Sequence, residues 1–204
     1  MTYLSTEPYL LIFFIIGYIS GSVPYGFLLG KLLGKVDIRE SGSGNIGATN
    51  ALRVGGKKLG ILTLLCDFLK AFLPVLIVKI YCNTDYAILT ALGAFFGHLF
   101  PIWLKFKGGK GVACGVAVAM ALSFKLGIFV CAMWLSTAFI TKYSSLSALI
   151  AFALLPLAAY LITFNTQIVM VITVISLIIL IKHKANILRL IKGEESKINL
   201  SKKS

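Results

Sequence analysis

The stretch Tyr143–Ile181, YSSLSALIAFALLPLAAYLITFNTQIVMVITVISLIILI, runs for 39 residues without a charged side chain. One apolar helix needs about 20 residues to cross a bilayer, so this stretch is long enough for two. Near its middle lies Thr163–Gln167, TFNTQ, whose polar residues are typical of a turn. The stretch therefore predicts two transmembrane helices joined by a short turn at 163–167.

The composition extends this prediction to the whole chain. Of the 204 residues, 58% are hydrophobic and 13% are charged, and the mean hydropathy is +0.94. An ordinary soluble domain is about 45–50% apolar and about 25% charged. This balance excludes a typical cytosolic enzyme, a disordered protein, a coiled coil and a disulfide-stapled secreted module. It predicts a single membrane-embedded domain over residues 1–204.

Five further apolar intervals predict the remaining helices: 8–30, 59–81, 86–104, 111–124 and 126–141. Because 111–124 and 126–141 are short, these two helices either tilt across the membrane or form a re-entrant hairpin. The predicted fold is an all-α polytopic bundle of seven transmembrane helices, some of them short. The alternative is five full spans with a re-entrant pair, and both versions put the same loops on the same side.

Lysine and arginine gather on one side of this predicted topology. Of the 20 such residues, 17 fall in the predicted loops at about 31–58, 105–111 and 141–147 or in the tail 182–204. Positively charged loops remain in the cytoplasm, so the N-terminus is predicted outside and the C-terminus inside. Membrane topology also accounts for the net charge of +13 without a nucleic-acid partner.

The first cytoplasmic loop contains Ser41–Asn50, SGSGNIGATN, in which glycine alternates with Ser, Asn and Thr. Glycine allows several backbone N–H groups to point at one place, and such concavities bind anions. Arg53 follows three residues later and could add a bidentate phosphate contact. The loop therefore predicts a phosphate site, with a flexible polar linker as the alternative.

The second cytoplasmic loop contains GHLFP at 97–101 and FKGGKGV at 106–112. The glycines would bring the backbone close to a ligand, with Lys110 as a point charge. The segment is not a Walker A loop, because Gly111 follows Lys110 where Ser or Thr would hold magnesium. Nucleotide hydrolysis is therefore disfavoured. The alternative is that Lys107 and Lys110 serve only as topology charges.

Two shorter segments complete the cytoplasmic set. The hydroxyl side chains of 142–147 would lie at a helix start, where they cap the helix or meet an anion. His183 and Asn186 share one face of a basic amphipathic helix suited to the membrane surface. Together the segments predict a phosphate-bearing substrate bound at the cytoplasmic interface. Inside the second span, Asp67 and Lys70 predict a buried ion pair, with a direct catalytic role as the alternative.

Several of these segments resemble the signature motifs of the bacterial acyl-phosphate-dependent glycerol-3-phosphate acyltransferases, the PlsY family. They are 41–50 with Arg53, 97–101 with 107–113, and 143–146, and residues 67–70 and 183–187 match as well. The resemblance implies a seven-helix enzyme of the bacterial inner membrane with a cytoplasmic active site. Such an enzyme moves a fatty acyl group from acyl phosphate to the sn-1 hydroxyl of glycerol 3-phosphate, forming lysophosphatidic acid and phosphate. The implied partners are these substrates and membrane lipids, with no cofactor, metal or nucleic acid.

The resemblance also implies the site residues. The catalytic set is Lys110, His183 and Ser145, and the substrate-binding set is Ser43, Asn45, Thr49, Asn50, Arg53, Gly108, Gly109 and Asn186. Many members carry a second Ser where this chain has Ala148, so either Ser145 or Ser147 touches the ligand. The proton of the acceptor hydroxyl would go to a histidine or to a substrate phosphate, and we favour the phosphate.

Two other classes of protein compete with this interpretation. A small transporter or channel for an anion such as phosphate would also use glycines and cations. It usually needs polar groups at the bilayer midplane and often an internal repeat, whereas this sequence has one charged pair there and no repeat. A non-catalytic scaffold would not need glycine, hydroxyl and basic sets in three separate loops.

Overall fold

The computed structural model describes residues 7–34 and 36–198. Lys35 and the tail residues 199–204, which the charge pattern includes, lie outside the described residues. Nine α-helices are found in the described part, with one short 3₁₀ turn at Ile102–Leu104. The helices are α1 (Glu7–Ser22), α2 (Tyr25–Gly34), α3 (Ala48–Tyr81), α4 (Thr84–Leu99), α5 (Val112–Leu122), α6 (Phe124–Thr141), α7 (Ser144–Thr163), α8 (Thr166–Lys182) and α9 (Lys184–Ile191).

Five segments are long and apolar enough to cross a membrane: Leu10–Leu33, Ala48–Tyr81, Thr84–Leu104, Phe124–Thr141 and Ser144–Thr163. The pair α8 and α9, bent by 54°, forms a sixth if it is counted as one span. The helix α5 has 11 residues and rises only about 17 Å, which is short for a bilayer core of about 30 Å. The all-helical membrane architecture is confirmed, while the count of seven spans and the orientation remain predictions.

The turn predicted at 163–167 is confirmed. The helix α7 ends at Thr163, and Phe164 adopts a left-handed conformation with φ of 50°. The side chain of Asn165 then accepts a hydrogen bond from the backbone N–H of Ile168 at 3.0 Å, which caps α8.

The first apolar interval is broken rather than continuous, with α1 ending at Ser22 and α2 beginning at Tyr25. Pro24 lies in the break, because proline has no N–H and cannot continue the hydrogen-bond ladder. The buried Lys70 Nζ donates a hydrogen bond of 2.7 Å to the carbonyl of Val23. This carbonyl also accepts the N–H of Tyr25 at 3.1 Å, so a cation from α3 adds a second hydrogen bond to the backbone at the break.

Glycines bring α1 and α4 into close contact. A Cβ added at Gly17 or Gly21 would overlap the backbone of α4, and one at Gly93 or Gly97 would overlap the backbone of α1. Small residues on facing surfaces are the usual basis of close helix packing in membranes. This contact fixes the C-terminal end of α4, from which the second polar loop departs.

The long helix α3 contains a kink at Gly56, where φ is 76°. Residues 31–58, interpreted from the sequence as a loop, therefore include the end of α2 and the first turns of α3. Beyond the kink, the predicted ion pair is confirmed, since Lys70 Nζ lies 2.6 Å from Asp67 Oδ1 and both side chains are buried. The pair offsets part of the cost of placing each charge inside the membrane.

The core and the outer surface are both apolar. Phe95, Leu99, Phe152, Leu155 and Ile172 are fully buried between α4, α7 and α8. Large aliphatic and aromatic side chains are also exposed along the outside of the bundle, among them Ile61, Ile77, Phe139, Leu157 and Leu177. A surface with so many exposed apolar side chains is stable in lipid and not in water.

Candidate active site

A cavity of about 410 Å³ opens where the two glycine-rich loops meet α9. Its walls come from three parts of the chain that lie far apart in sequence. They are Arg39, Ser43, Gly44, Asn45 and Ile46 from the first loop, Leu104, Lys107, Gly108 and Lys110 from the second, and Ala185 and Arg189 from α9. Four of these residues are cationic and none is acidic, so the cavity is suited to an anion.

Lys110 is held at the end of the second loop. Gly111 follows it with φ of 89°, a left-handed conformation that favours glycine, and α5 begins at the next residue. The Lys110 Nζ donates a hydrogen bond of 2.5 Å to Asn186 Oδ1. Burial lowers the pKa of Lys110, and the positive charges of Arg189 and Arg53 lower it further, while Glu195 opposes them.

The carboxylate of Glu195 connects the site residues behind the cavity. Ser145 Oγ and Asn186 Nδ2 each donate a hydrogen bond of 2.8 Å to Glu195 Oε1, and Arg189 Nε donates one of 2.7 Å to Oε2. Burial alone would raise the pKa of Glu195, but these three hydrogen bonds outweigh it and lower the pKa. Glu195 therefore remains ionised and orders α7 and α9 against each other.

The first loop is shaped by two asparagines. Asn50 Oδ1 accepts the N–H of Ser43 at 2.8 Å, and its Nδ2 donates to the carbonyl of Ile38 at 2.7 Å. Asn45 Oδ1 accepts the N–H of Gly47 at 2.8 Å. These side-chain bonds replace backbone pairing in a segment that has no regular secondary structure. Asn50 thus supports the loop, whereas Asn45 also lines the cavity.

Arg39 enters the cavity wall through a local ion pair. Its Nε and Nη2 donate hydrogen bonds of 2.9 and 2.6 Å to the two oxygens of Asp37. This bidentate contact is the main reason that the pKa of Asp37 is held far below its usual range. The Arg39 guanidinium also lies 4.3 Å from the ring centroid of Phe27. Two contacts thus fix its position beside the cavity.

Several residues expected in the site lie beside the cavity rather than in its wall, and three of them have specific contacts there. Arg53 Nη2 donates a hydrogen bond of 3.1 Å to the carbonyl of Ser196, and Thr49 Oγ1 lies 3.0 Å from Ser144 Oγ. His183 is buried at the break between α8 and α9, with Nδ1 2.7 Å from the carbonyl oxygen of Ile179. Burial lowers the pKa of His183, the contact with the Ile179 carbonyl opposes this shift, and the charge of Lys110 adds to it.

The structure brings the predicted residues together to different degrees. Ser43, Asn45, Gly108 and Lys110 line the cavity. Asn186 lies one hydrogen bond behind them, because it accepts from Lys110. Ser145 lies further back and is connected to Asn186 through Glu195. Gly109, Thr49, Asn50, Arg53 and His183 surround this group without lining the cavity. The hydroxyl of Ser147 is turned back to the carbonyl of Tyr143 at 2.8 Å, whereas Ser145 faces the site.

Sequence reasoning missed Arg39, Arg189 and Glu195. Arg189 lies three residues after Asn186, so helix periodicity could have placed both on one face. Arg39 follows Asp37 in the same polar loop, a spacing compatible with a local ion pair. No local pattern marks Glu195, because its partners lie up to 50 residues away in the chain.

Comparison with known proteins agrees with this geometry. The family model for glycerol-3-phosphate acyltransferase matches residues 11–193. The chain belongs to the glycerol-3-phosphate acyltransferase family. A glycerol-3-phosphate acyltransferase from Mesorhizobium japonicum is 47% identical over 189 residues, covering 93% of this chain and 96% of the relative. One from Pelagibacter ubique is 48% identical over 183 residues, covering 90% and 94%.

Two solved structures of PlsY (YgiH), an integral membrane glycerol 3-phosphate acyltransferase, share the fold. Its glycerol 3-phosphate form superposes with a TM-score of 0.89 at 36% identity, covering 94% of this chain and 96% of that one. The lysophosphatidic acid form gives 0.86 at 35% identity, with the same coverage. The family membership makes this chain an acyltransferase and a multi-pass membrane protein of phospholipid synthesis.

Proposed function

We propose that the protein transfers a fatty acyl group from acyl phosphate to the sn-1 hydroxyl of glycerol 3-phosphate. The products are 1-acyl-glycerol 3-phosphate (lysophosphatidic acid) and inorganic phosphate. The observation that carries the proposal is the cavity whose wall contains Arg39, Lys107, Lys110 and Arg189 and no carboxylate. Two phosphate-bearing substrates repel each other, and cations around one cavity offset that repulsion.

Because acyl phosphate carries a good leaving group, the enzyme needs mainly to align the two substrates and to stabilise charge. The acceptor oxygen attacks the acyl carbonyl carbon, the bond from that carbon to the phosphate oxygen breaks, and phosphate leaves with the bonding electron pair. Lys110 would hold the phosphate groups, Gly108 and Gly109 would leave room for them beside the loop, and Ser145 and Asn186 would orient them. The remaining residues of the predicted set, Ser43, Asn45, Thr49, Asn50 and Arg53, would shape the cavity for glycerol 3-phosphate.

The proton of the attacking hydroxyl is assigned to a substrate phosphate. His183 does not line the cavity, and its Nδ1 already contacts the carbonyl of Ile179. A substrate phosphate has a second pKa near 6 and lies next to the acceptor, so it is suited to take the proton. His183 then has a positioning role at the bend between α8 and α9.

The site is proposed to face the cytoplasm at the bacterial inner membrane. The support is the positive-inside rule, because the loops that form the cavity also carry most of the lysines and arginines. The acyl chain would remain among the helices while its phosphate reaches the cavity. Such a site needs no soluble carrier of the acyl chain.

The donor assay tests this function. Purified protein in detergent, with EDTA present, receives glycerol 3-phosphate with either acyl phosphate or acyl-CoA, and the lipid product is identified by mass spectrometry. We expect lysophosphatidic acid from acyl phosphate only, with loss of most of the product in Lys110→Ala. Lys125→Ala is the matched control, because this exposed lysine lies in the first turn of α6, which contributes no residue to the cavity wall. Product with acyl-CoA but not with acyl phosphate would overturn the proposed donor. Transport of phosphate into liposomes without any lipid product would overturn the proposed acyltransferase activity.

A further inference from the structure

The buried side chain of His98 lies between the second polar loop and the ion pair of α3. A Cβ added at Gly109 would overlap the Nε2 edge of the His98 ring, so the ring is in direct contact with that glycine. On its other side, His98 Nδ1 lies 3.8 Å from Asp67 Oδ1, and it has no hydrogen-bond partner among the described residues. The ring therefore fills the space between Gly109 and Asp67.

The backbone at the end of α4 holds the same loop. The N–H of Gly108 donates to the carbonyl of Leu99 at 3.1 Å, and the N–H of Gly109 donates to the carbonyl of His98 at 3.1 Å. Lys110 is the next residue and projects toward Asn186. Any displacement of this glycine pair therefore moves the Lys110 side chain within the cavity.

Asp67 is held by one contact of its side chain and one of its backbone. Its carboxylate pairs with Lys70 Nζ at 2.6 Å, and Lys70 also donates to the carbonyl of Val23 at the break between α1 and α2. The backbone carbonyl of Asp67 accepts the Sγ–H of Cys114, at 3.3 Å, from the first turn of α5. The ion pair thus provides a rigid wall against which the His98 ring is placed.

We propose that His98, held against Asp67, is a positioning residue for the Gly108–Lys110 loop. The His98 ring lies between Asp67 and Gly109, so it sets the distance between the loop and α3. That distance in turn fixes the position of Lys110 at the phosphate site. This inference rests on the proposed function, because it assigns the loop to phosphate binding. It adds a residue inside the membrane domain that touches no substrate and controls the affinity for glycerol 3-phosphate.

A double-mutant cycle tests the contact directly. His98→Ala and Gly109→Ala should each raise the KM for glycerol 3-phosphate by about ten- to hundredfold, and each should change KM more than kcat. In the double variant the new methyl group of residue 109 occupies the space that the ring has left. The double variant should therefore be less impaired than the product of the two single effects, by about fivefold or more.

Gly108→Ala is the matched control for the cycle. Its added Cβ would overlap the backbone carbonyl of His98 and the ring of Pro101, not the His98 side chain. Combined with His98→Ala, it should therefore give multiplicative losses. Equal, multiplicative behaviour of the Gly108 and Gly109 cycles would overturn the proposal. If His98→Ala does not fold, His98→Asn replaces it, because asparagine keeps a polar group toward Asp67 and withdraws from Gly109.

Hydrogen–deuterium exchange separates this proposal from the proposed function. Without substrate, the amides of 107–111 should exchange faster in the His98 variant than in the unmodified protein or in Thr90→Val, a buried substitution elsewhere on α4. Unchanged exchange at 107–111 would overturn the positioning role even if the enzyme proves active. Faster exchange in a protein that makes no lysophosphatidic acid would support the positioning role and overturn only the proposed function.

Discussion

Lys110 Nζ lies 2.5 Å from Asn186 Oδ1, although the two residues are 76 positions apart in the chain. Asn186 in turn donates to Glu195, which accepts from Ser145. One hydrogen-bond network therefore links the second polar loop, α9, the tail and the start of α7. This network explains how separate segments, each with a weak signal in the sequence, come together beside one cavity.

Replacing the carboxylate of Glu195 should weaken this hydrogen-bond network. In Glu195→Gln, Arg189 loses its anionic partner and one of the three donors loses a strong acceptor. The free energy of unfolding should therefore fall by about 1–3 kcal/mol. We expect a lower thermal midpoint and a higher KM for glycerol 3-phosphate. Glu194→Gln is the matched control, since its side chain is exposed. Equal midpoints for the two variants, measured by thermal unfolding in detergent, would show that Glu195 has no such role.

The Glu195 contribution should also depend on pH. Because the pKa of Glu195 is lowered in the folded protein, its stabilisation is present above the ordinary pKa of a glutamate and is lost as pH falls through the lowered value. The difference in thermal midpoint between the unmodified protein and Glu195→Gln should therefore persist from neutral pH to about pH 5 and shrink below that. A difference that grows on acidification would contradict the assigned sign.

Activity at alkaline pH should report on Lys110. Its pKa lies below that of an ordinary lysine because of burial, and only the charged form attracts phosphate. The KM for glycerol 3-phosphate should therefore begin to rise at a lower pH than the titration of an exposed lysine would predict. Lys110→Arg keeps its charge at alkaline pH, so its KM should lack this rise. A rise of the same size in Lys110→Arg would assign the titration to another group.

Arg53→Lys tests the role of a guanidinium beside the cavity. Arg53 contacts the carbonyl of Ser196 and shares the field around Lys110. A lysine keeps the charge but not the planar fork, so the affinity for glycerol 3-phosphate should fall by about two- to tenfold. Lys57→Ala, an exposed substitution on the same helix, should leave the affinity unchanged. A steady-state KM for Arg53→Lys equal to that of the unmodified protein would remove Arg53 from the substrate-binding set.

Apolar patterning predicted most of the fold because the bilayer imposes it. Long uncharged intervals specify where helices can lie, and the polar residues at 163–167 end α7 and begin α8 as expected. Two irregularities were not predicted. The break at Pro24 divides an apolar interval that composition alone would make one helix, and the kink at Gly56 lies in a helix whose first turns were predicted as a loop. Both depend on backbone conformation at one residue, which apolar periodicity does not report.

The site was predictable only where several polar residues lie close together in sequence. The glycine loops that contain Ser43 and Lys110 do line the cavity. Glu195 could not be found this way, because an acid in a basic tail is normally solvated and its burial here depends on donors from α7 and α9. The location of Arg53, Thr49 and His183 beside the cavity likewise depends on tertiary packing rather than on motif membership.

Equilibrium binding of radiolabelled glycerol 3-phosphate to the purified protein tests the central claim that one cationic cavity holds the substrate phosphate. We predict saturable binding that excess inorganic phosphate displaces and excess glycerol does not. We also predict that Lys110→Ala weakens it by about tenfold or more, the loss of a hydrogen bond to a charged group, while Lys125→Ala does not. Unchanged affinity in Lys110→Ala, or equal displacement by glycerol and phosphate, would contradict the account.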